Sequence, residues 1–188
     1  KTLAYLLPVL GRLQADVEGV QAVVLVPSRE LALQTEQVFK SMNTPFKAVS
    51  CYGGRPAMEE HRTLKGVRPA VVIATPGRMN DHLGKGNIDA STIRTLVIDE
   101  FDKSLELGFR QQMADILEIL PSIRKRILLS ATDTPEIPSF VGVGKVHRMD
   151  YLADTDTDYS DRIRQYLLRS PEKDKLETLG RLLCSLGS

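Results

Sequence analysis

The sequence predicts an α/β fold, a mainly parallel central sheet with helices packed on both of its faces. Three observations carry that expectation. Short apolar, β-branched runs alternate along the 188 residues with stretches of helical periodicity. Most of those runs are apolar at nearly every position, as parallel strands covered on both sides must be. Gly, Pro, Ser and Thr gather where the runs end.

Taken in order, Thr2–Ala15 has helical spacing and leads to a strand at Ala22–Val26 (AVVLV). Arg29–Met42 is helical, with Leu31, Val38, Phe39 and Met42 on one face. A strand at Lys47–Cys51 and a helix at Pro56–Lys65 follow. The next pairs are a strand at Val71–Ala74 with a helix at Gly77–Leu83, and a strand at Thr95–Ile98 with a helix at Phe109–Leu120, stopped by Pro121. Arg126–Ser130 and a short Lys145–Met149 complete the strands of a domain at 1–150. Residues 151–161 are acidic and aperiodic, the pattern of a linker. Residues 162–188 resemble one strand–helix unit of a second, truncated domain: Arg162–Leu168 as strand, Glu172–Leu186 as amphipathic helix, with Pro171 suited to the first turn.

Composition excludes several classes. With 42% hydrophobic and 26% charged residues the chain is an ordinary globular one, able to bury a core. A net charge of +1 means that any anion must be met by local positive sites. No apolar run approaches the roughly 20 residues that cross a bilayer, so no membrane partner is expected. Cys51 and Cys184 form no CxxC pair, which argues against a zinc site or disulfide framework and suits a reducing, cytoplasmic setting, the nucleus remaining open. The chain opens on Lys1 inside a helical pattern, so residue 1 reads as a cut and upstream targeting signals lie out of view.

The strongest chemical signal is Val97-Ile98-Asp99-Glu100-Phe101-Asp102. An apolar strand ends there in two adjacent carboxylates, at the edge where parallel sheets bind ligands. Such an Asp can hold a magnesium ion, and the following Glu can act on an attacking water. Lys1-Thr2, opening a helix, has the residue types that meet β/γ-phosphates and Mg²⁺ in a phosphate loop; alone the pair means little. Ser130-Ala131-Thr132 ends a strand with two hydroxyls able to bond Asp102. Pro27-Ser28-Arg29-Glu30-Leu31-Ala32 and Thr75-Pro76-Gly77-Arg78 each follow a strand and open a helix. In both, a hydroxyl can cap an N-terminus that favours an anion, with an arginine beside it. Gly53-Gly54 marks a place where backbone can approach a ligand closely. Each segment alone is also ordinary capping or turn chemistry. His61, His82 and His147 lack ligand spacing and read as surface or helix histidines; Cys51 reads as a small core residue.

In order, KT, PSRELA, GG, TPGR, DEFD and SAT resemble the motif series of the DEAD-box RNA helicases, over Lys1 to about residue 150. The resemblance implies a RecA-like three-layer sandwich, and an ATP-dependent RNA helicase that couples ATP binding and hydrolysis to local unwinding or remodelling of RNA. It implies ATP and Mg²⁺ as cofactors, with Lys1 and Thr2 at the nucleotide, Thr2 and Asp99 at the metal, and Glu100 with Asp99 in catalysis. Asp102, Ser130 and Thr132 would couple hydrolysis to domain closure. Ser28, Arg29, Gly53, Gly54, Thr75, Gly77 and Arg78 would line a groove for the backbone of single-stranded RNA or a short duplex, read without regard to sequence. The family's glycine loop, its adenine-recognising glutamine motif and most of its second domain are not among these residues, so the chain on its own is expected to be inactive.

Two positions depart from the family pattern. Ser28 stands where PTRELA has Thr and keeps the hydroxyl; Phe101 stands where DEAD has Ala, a large side chain that could narrow the coupling site, while its acidic neighbours are intact and ATPase chemistry is expected to survive in the whole protein. Phe101 supports an alternative, a catalytically impaired RNA-binding scaffold with a helicase fold. A DNA helicase or translocase is a third reading, against which PSRELA and TPGR lean.

Overall fold

The computed structural model describes residues 1–132, 139–142, 146–150, 166–171 and 173–186. The chain divides into two compact units, Lys1–Val146 and His147–Ser188.

In the first unit five strands form one parallel sheet: β1 Ala22–Leu25, β2 Ala48–Cys51, β3 Val71–Ala74, β4 Thr95–Ile98 and β5 Lys125–Leu128, in the spatial order β2-β3-β1-β4-β5. The helices are α1 Thr2–Leu10, α2 Arg29–Ser41, α3 Ala57–Val67, α4 Pro76–Gly84, α5 Phe101–Glu106 and α6 Arg110–Ile119. Alternation along each strand explains why both faces are covered. Ala22, Val24, Val71, Ile73 and Val97 point to Tyr5, Leu6 and Val9 of α1 and to Ala32 and Phe39 of α2. Their neighbours Val23, Leu25, Val72, Leu96 and Ile98 point the other way, to Leu64 of α3, Met79 and Leu83 of α4, Phe101 of α5, and Met113 and Ile116 of α6. Each Val, Leu, Ile, Phe or Met among them, once buried, contributes about 1.5–3 kcal/mol of apolar transfer free energy. The α/β expectation therefore holds, and the sheet is parallel throughout.

Several boundaries differ from the sequence expectation. The first helix stops at Leu10, not Ala15, because the buried Gln21 side chain holds the next segment as a loop. Its Oε1 accepts from the Gln14 N–H at 2.8 Å, and its Nε2 donates to Gln14 O at 2.8 Å and Val17 O at 3.0 Å. The six-residue α5 was not anticipated; it is too short to show periodicity. Val146–Met149 is not a strand, and Lys145 lies outside the described residues.

In the second unit, α7 spans Leu176–Leu186, starting later than the sequence suggested. Tyr166–Leu168 is not in a strand; 162–165, Glu172 and the whole expected linker at 151–161 lie outside the described residues. A lone strand has backbone donors and acceptors to satisfy, and none of the described residues of this unit pairs with it. Leu176, Leu179, Leu183 and Leu186 of α7 are exposed, so its apolar face is uncovered within the unit.

Candidate functional site

Register brings the motifs together. Leu25 pairs with Ala74 and Ile98, Cys51 pairs with Ala74, and Ile98 pairs with Leu128. The five strands thus end in one row, and the segment after each lies along a single rim. Reading across it, the order is Gly53-Gly54, Thr75–Arg78, Pro27–Arg29, Asp99–Asp102 and Ser130–Thr132.

One half of the rim is acidic and rich in hydroxyls. The Asp99 N–H continues the ladder to Leu25 O at 2.9 Å, and Asp99 Oδ1 accepts from the Glu100 N–H at 2.9 Å. Glu100 is then held at φ 47°, ψ 54°, a left-handed conformation that costs a non-glycine residue free energy. That turn starts α5 at once and places Asp102 on its first turn. Asp102 Oδ2 accepts from the Thr132 hydroxyl at 2.9 Å and from the Thr132 N–H at 3.2 Å, while Oδ1 accepts from the Lys103 N–H at 3.0 Å. The Ser130 hydroxyl donates to Thr132 O at 2.8 Å, folding the Ser-Ala-Thr turn onto the carboxylate. Burial alone would push the Asp102 pKa up; the bonds from Thr132, Lys103 and Ser130 outweigh it and hold the carboxyl below its ordinary value.

Thr2, the first residue of α1, comes to the same half through Tyr5. The buried Tyr5 hydroxyl lies 3.4 Å from Thr35 Oγ1 and also interacts with Asp99 and Thr2. Burial, more than any neighbour, raises its pKa to about 12. Lys1 is exposed at the start of this helix. The oxygens of Thr2 and Asp99 are hard donors of the kind that suit Mg²⁺ and its waters.

Phe101 does not crowd these groups. Its side chain is only 2% exposed and belongs to the core beneath α5, while its N–H donates to Leu129 O at 2.9 Å. The first residue of α5 thus points inward, into the core.

The other half of the rim is basic and glycine-rich. Arg29, Gly53, Thr75, Gly77, Arg78, Asp81 and Phe109 line a cleft of about 520 Å³. Ser28 caps α2, its hydroxyl accepting from the Leu31 N–H at 3.3 Å. Thr75 occupies the matching place before α4 without a side-chain cap, contrary to the sequence expectation, and leaves the first N–H groups of α4 to other partners. A Cβ at Gly53 or Gly77 would meet nothing within 4 Å among the described residues. The fold itself does not require glycine there; room is left over the backbone. Gly54, at φ +90°, is where the turn does require it.

Beneath the cleft lies a buried polar hub that the sequence did not reveal. Glu60, 4% exposed, accepts from the Tyr52 N–H at 2.9 Å. It also pairs with Arg78 Nε at 3.3 Å and with His82 Nε2 at 2.9 Å. The fully buried His82 is bonded through Nδ1 to the Asn87 amide at 3.1 Å, so it is a structural residue of α4 rather than a surface one. Cys51 lies beside this hub, its thiol pushed up to about 12 by burial first and by the Glu60 charge next. A high-pKa thiol and a carboxylate already neutralised by Arg78 do not suit a metal ion.

A parallel sheet has its ligand-facing edge at the carboxyl ends of its strands, and here that edge carries adjacent carboxylates at one half and open glycines beside helix N-termini at the other. The chain belongs to the DEAD/DEAH box helicase family, whose family model matches residues 1–139. It is 35% identical over 179 residues to the ATP-dependent RNA helicase DBP10 of Saccharomyces cerevisiae, covering 93% of this chain and 18% of the yeast protein. It is 30% identical over 192 residues to the ATP-dependent RNA helicase CshA of Limosilactobacillus reuteri, covering 97% of this chain and 37% of that one. The chain thus spans well under half the length of these relatives. Among solved structures, a DEAD box protein from Methanococcus jannaschii superposes with a TM-score of 0.66 at 28% identity, over 71% of this chain and 37% of that chain. Mss116p bound to ssRNA and AMP-PNP gives 0.64 at 31% identity, over 71% and 30%. The fold is the RecA-like three-layer sandwich of these domains.

Proposed function

We propose that this chain forms the first motor domain, at 1–150, of a DEAD-box ATP-dependent RNA helicase, with 151–161 as interdomain linker and 162–188 as the start of a second domain. The division of the chain after Val146 supports that organisation. Relatives named as ATP-dependent RNA helicases, and the similarity to Mss116p with ssRNA and AMP-PNP, support the substrate classes.

In this proposal Lys1 meets the β/γ-phosphates of ATP, while Thr2 and Asp99 hold Mg²⁺ and its water shell. The ion would neutralise charge on the phosphates. Glu100 orients the attacking water and takes its proton. The bonds from Thr132 to Asp102 couple that region to movement of the Ser-Ala-Thr turn. Ser28, Arg29, Gly53, Gly54, Thr75, Gly77 and Arg78 form the wall along which an RNA backbone runs, met through phosphates and helix N-termini without base readout. A reducing intracellular compartment, cytoplasm or nucleus, suits the two free thiols.

The observation that carries this proposal is the Thr132–Asp102 contact at 2.9 Å, which joins two motifs 30 residues apart at the end of the strand bearing Asp99 and Glu100. The test is ATP turnover by the full-length protein with and without RNA. RNA-stimulated turnover abolished by Glu100→Gln is expected. RNA binding without any turnover would favour the scaffold reading, and stimulation by DNA alone would favour a DNA translocase.

A further inference from the structure

We infer that Arg55, which lies outside the motif residues, is a phosphate-contacting residue of the RNA groove, held ready for an anion by the ring of Tyr52. This rests on the RNA-binding reading above.

The basic half of the rim offers three candidate cations, Arg29 and Arg78 lining the cleft and Arg55 beside the glycine turn, and they are not equivalent. The side chain of Arg78 is only 13% exposed and committed within the chain. Its Nε pairs with Glu60 at 3.3 Å, one terminal nitrogen lies 3.7 Å from Asp81 Oδ2, and the other donates to Arg55 O at 2.7 Å. With Nε and one terminal nitrogen facing the carboxylates of Glu60 and Asp81 and the other donating to Arg55 O, the fork is largely committed within the chain. Arg78 therefore acts through the loop it clamps, and the residue clamped is Arg55.

Arg55 is exposed and follows the Gly53-Gly54 turn. Its guanidinium carbon sits 4.7 Å from the centroid of the Tyr52 ring, and that of Arg29 sits 5.1 Å from the same centroid. Among the described residues no carboxylate pairs with Arg29 or Arg55. Two cations gathered at one ring repel each other, and an anion between or beside them relieves that repulsion. The ring also restricts two long, flexible side chains before any ligand arrives, so less freedom is lost on binding. Tyr52 is itself fixed: it is wholly buried, and its N–H is held by Glu60. The same carboxylate thus anchors Arg78 and the platform for Arg29 and Arg55. A chain of phosphates alternating with riboses fits a row of such cations spaced along a rim; a single small anion would not need the row.

The test is the salt dependence of binding a fluorescein-labelled single-stranded RNA to the full-length protein. A lost phosphate contact on a single strand lowers the slope of log K against log salt by about 0.7. Arg55→Ala should show that decrease, and Arg55→Lys should retain the parent slope. Lys65→Ala, which removes an exposed charge in the last turn of α3, next to the chain that enters the opposite edge of the sheet at Val71, should leave the slope unchanged. An unaltered slope in Arg55→Ala with RNA still bound overturns the inference, as does an equal decrease in Lys65→Ala. Failure of the unaltered protein to bind RNA at any salt would instead overturn the proposed function, and this inference with it.

Discussion

Thr132 donates its hydroxyl to Asp102 Oδ2 at 2.9 Å and its backbone N–H to the same oxygen at 3.2 Å, so one residue after β5 makes two bonds to a carboxylate on the first turn of α5. Because Thr132 is exposed while Asp102 is only 7% exposed, the contact is anchored on one side and accessible on the other. Thr132→Val removes the hydroxyl but keeps the shape. The expected loss is about 1 kcal/mol of stability, the low end for a charge-assisted bond because one partner is solvated. Urea denaturation measures it; an unchanged midpoint would show that the bond contributes nothing net.

Acid should weaken the same contact. The folded pKa of Asp102 lies below the ordinary 3.8, so its contribution is complete above that value and is lost as pH falls through the lowered one. Asp81, held low by Lys85, and Asp89, held low by Ser91, act in the same direction. Stability measured between about pH 5 and pH 2 should therefore fall less steeply in Asp102→Asn than in the unaltered protein. Parallel curves would remove Asp102 from the acid response.

At Glu100 function and stability should separate. Glycine tolerates the φ of 47° that glutamate adopts only with strain, so Glu100→Gly should raise stability by about 0.5–1 kcal/mol. Glu100→Ala keeps the strain and should not. Both should abolish RNA-stimulated ATP hydrolysis by the full-length protein. Thermal melts beside phosphate-release assays compare the two, and a destabilised Glu100→Gly would contradict the backbone argument.

Glu60 should be among the most sensitive positions to substitution. Glu60→Ala leaves the Tyr52 N–H and the Arg78 Nε without their acceptor in a buried setting, a loss of about 3–5 kcal/mol. Glu60→Gln retains an acceptor and should cost less. Equal midpoints for the two variants in urea would show that the negative charge, rather than the hydrogen bonding, is what matters.

The thiols should differ in reactivity. Cys51 is fully buried with its pKa raised to about 12, whereas Cys184 is exposed. Iodoacetamide at mildly alkaline pH should label one thiol per native chain and two in denaturant. Native labelling of both would place Cys51 in a far more open environment than the sheet provides.

The alternation of apolar runs with helical stretches was enough to place all five strands of the sheet, because strands covered on both faces announce themselves by continuous hydrophobicity. Ser28 as a cap and Gly54 as a turn were legible for the same reason: each satisfies a local demand of the backbone. Elements without a local signature are not legible in this way. Residues 11–15 continue the helical spacing of α1 and yet form loop, because the Gln21 side chain, from further along the chain, holds that segment. Where Phe101 points is not legible in the motif; the left-handed turn at Glu100 sends it into the core. Arg78 reads in the sequence as a positive charge beside a helix N-terminus; its pairing with Glu60 and Asp81 is not legible there, because those partners come from α3 and from the next turn of α4.

By itself the sequence determined the kinds of element, their order and the family, since periodicity, capping and motif spacing are properties of neighbouring residues. Only the tertiary structure decided which charges are spent and which are available. That depends on groups brought together from α3, α4 and the strand ends, and burial there turns a pair of ordinary side chains into a fixed partnership that no local pattern encodes.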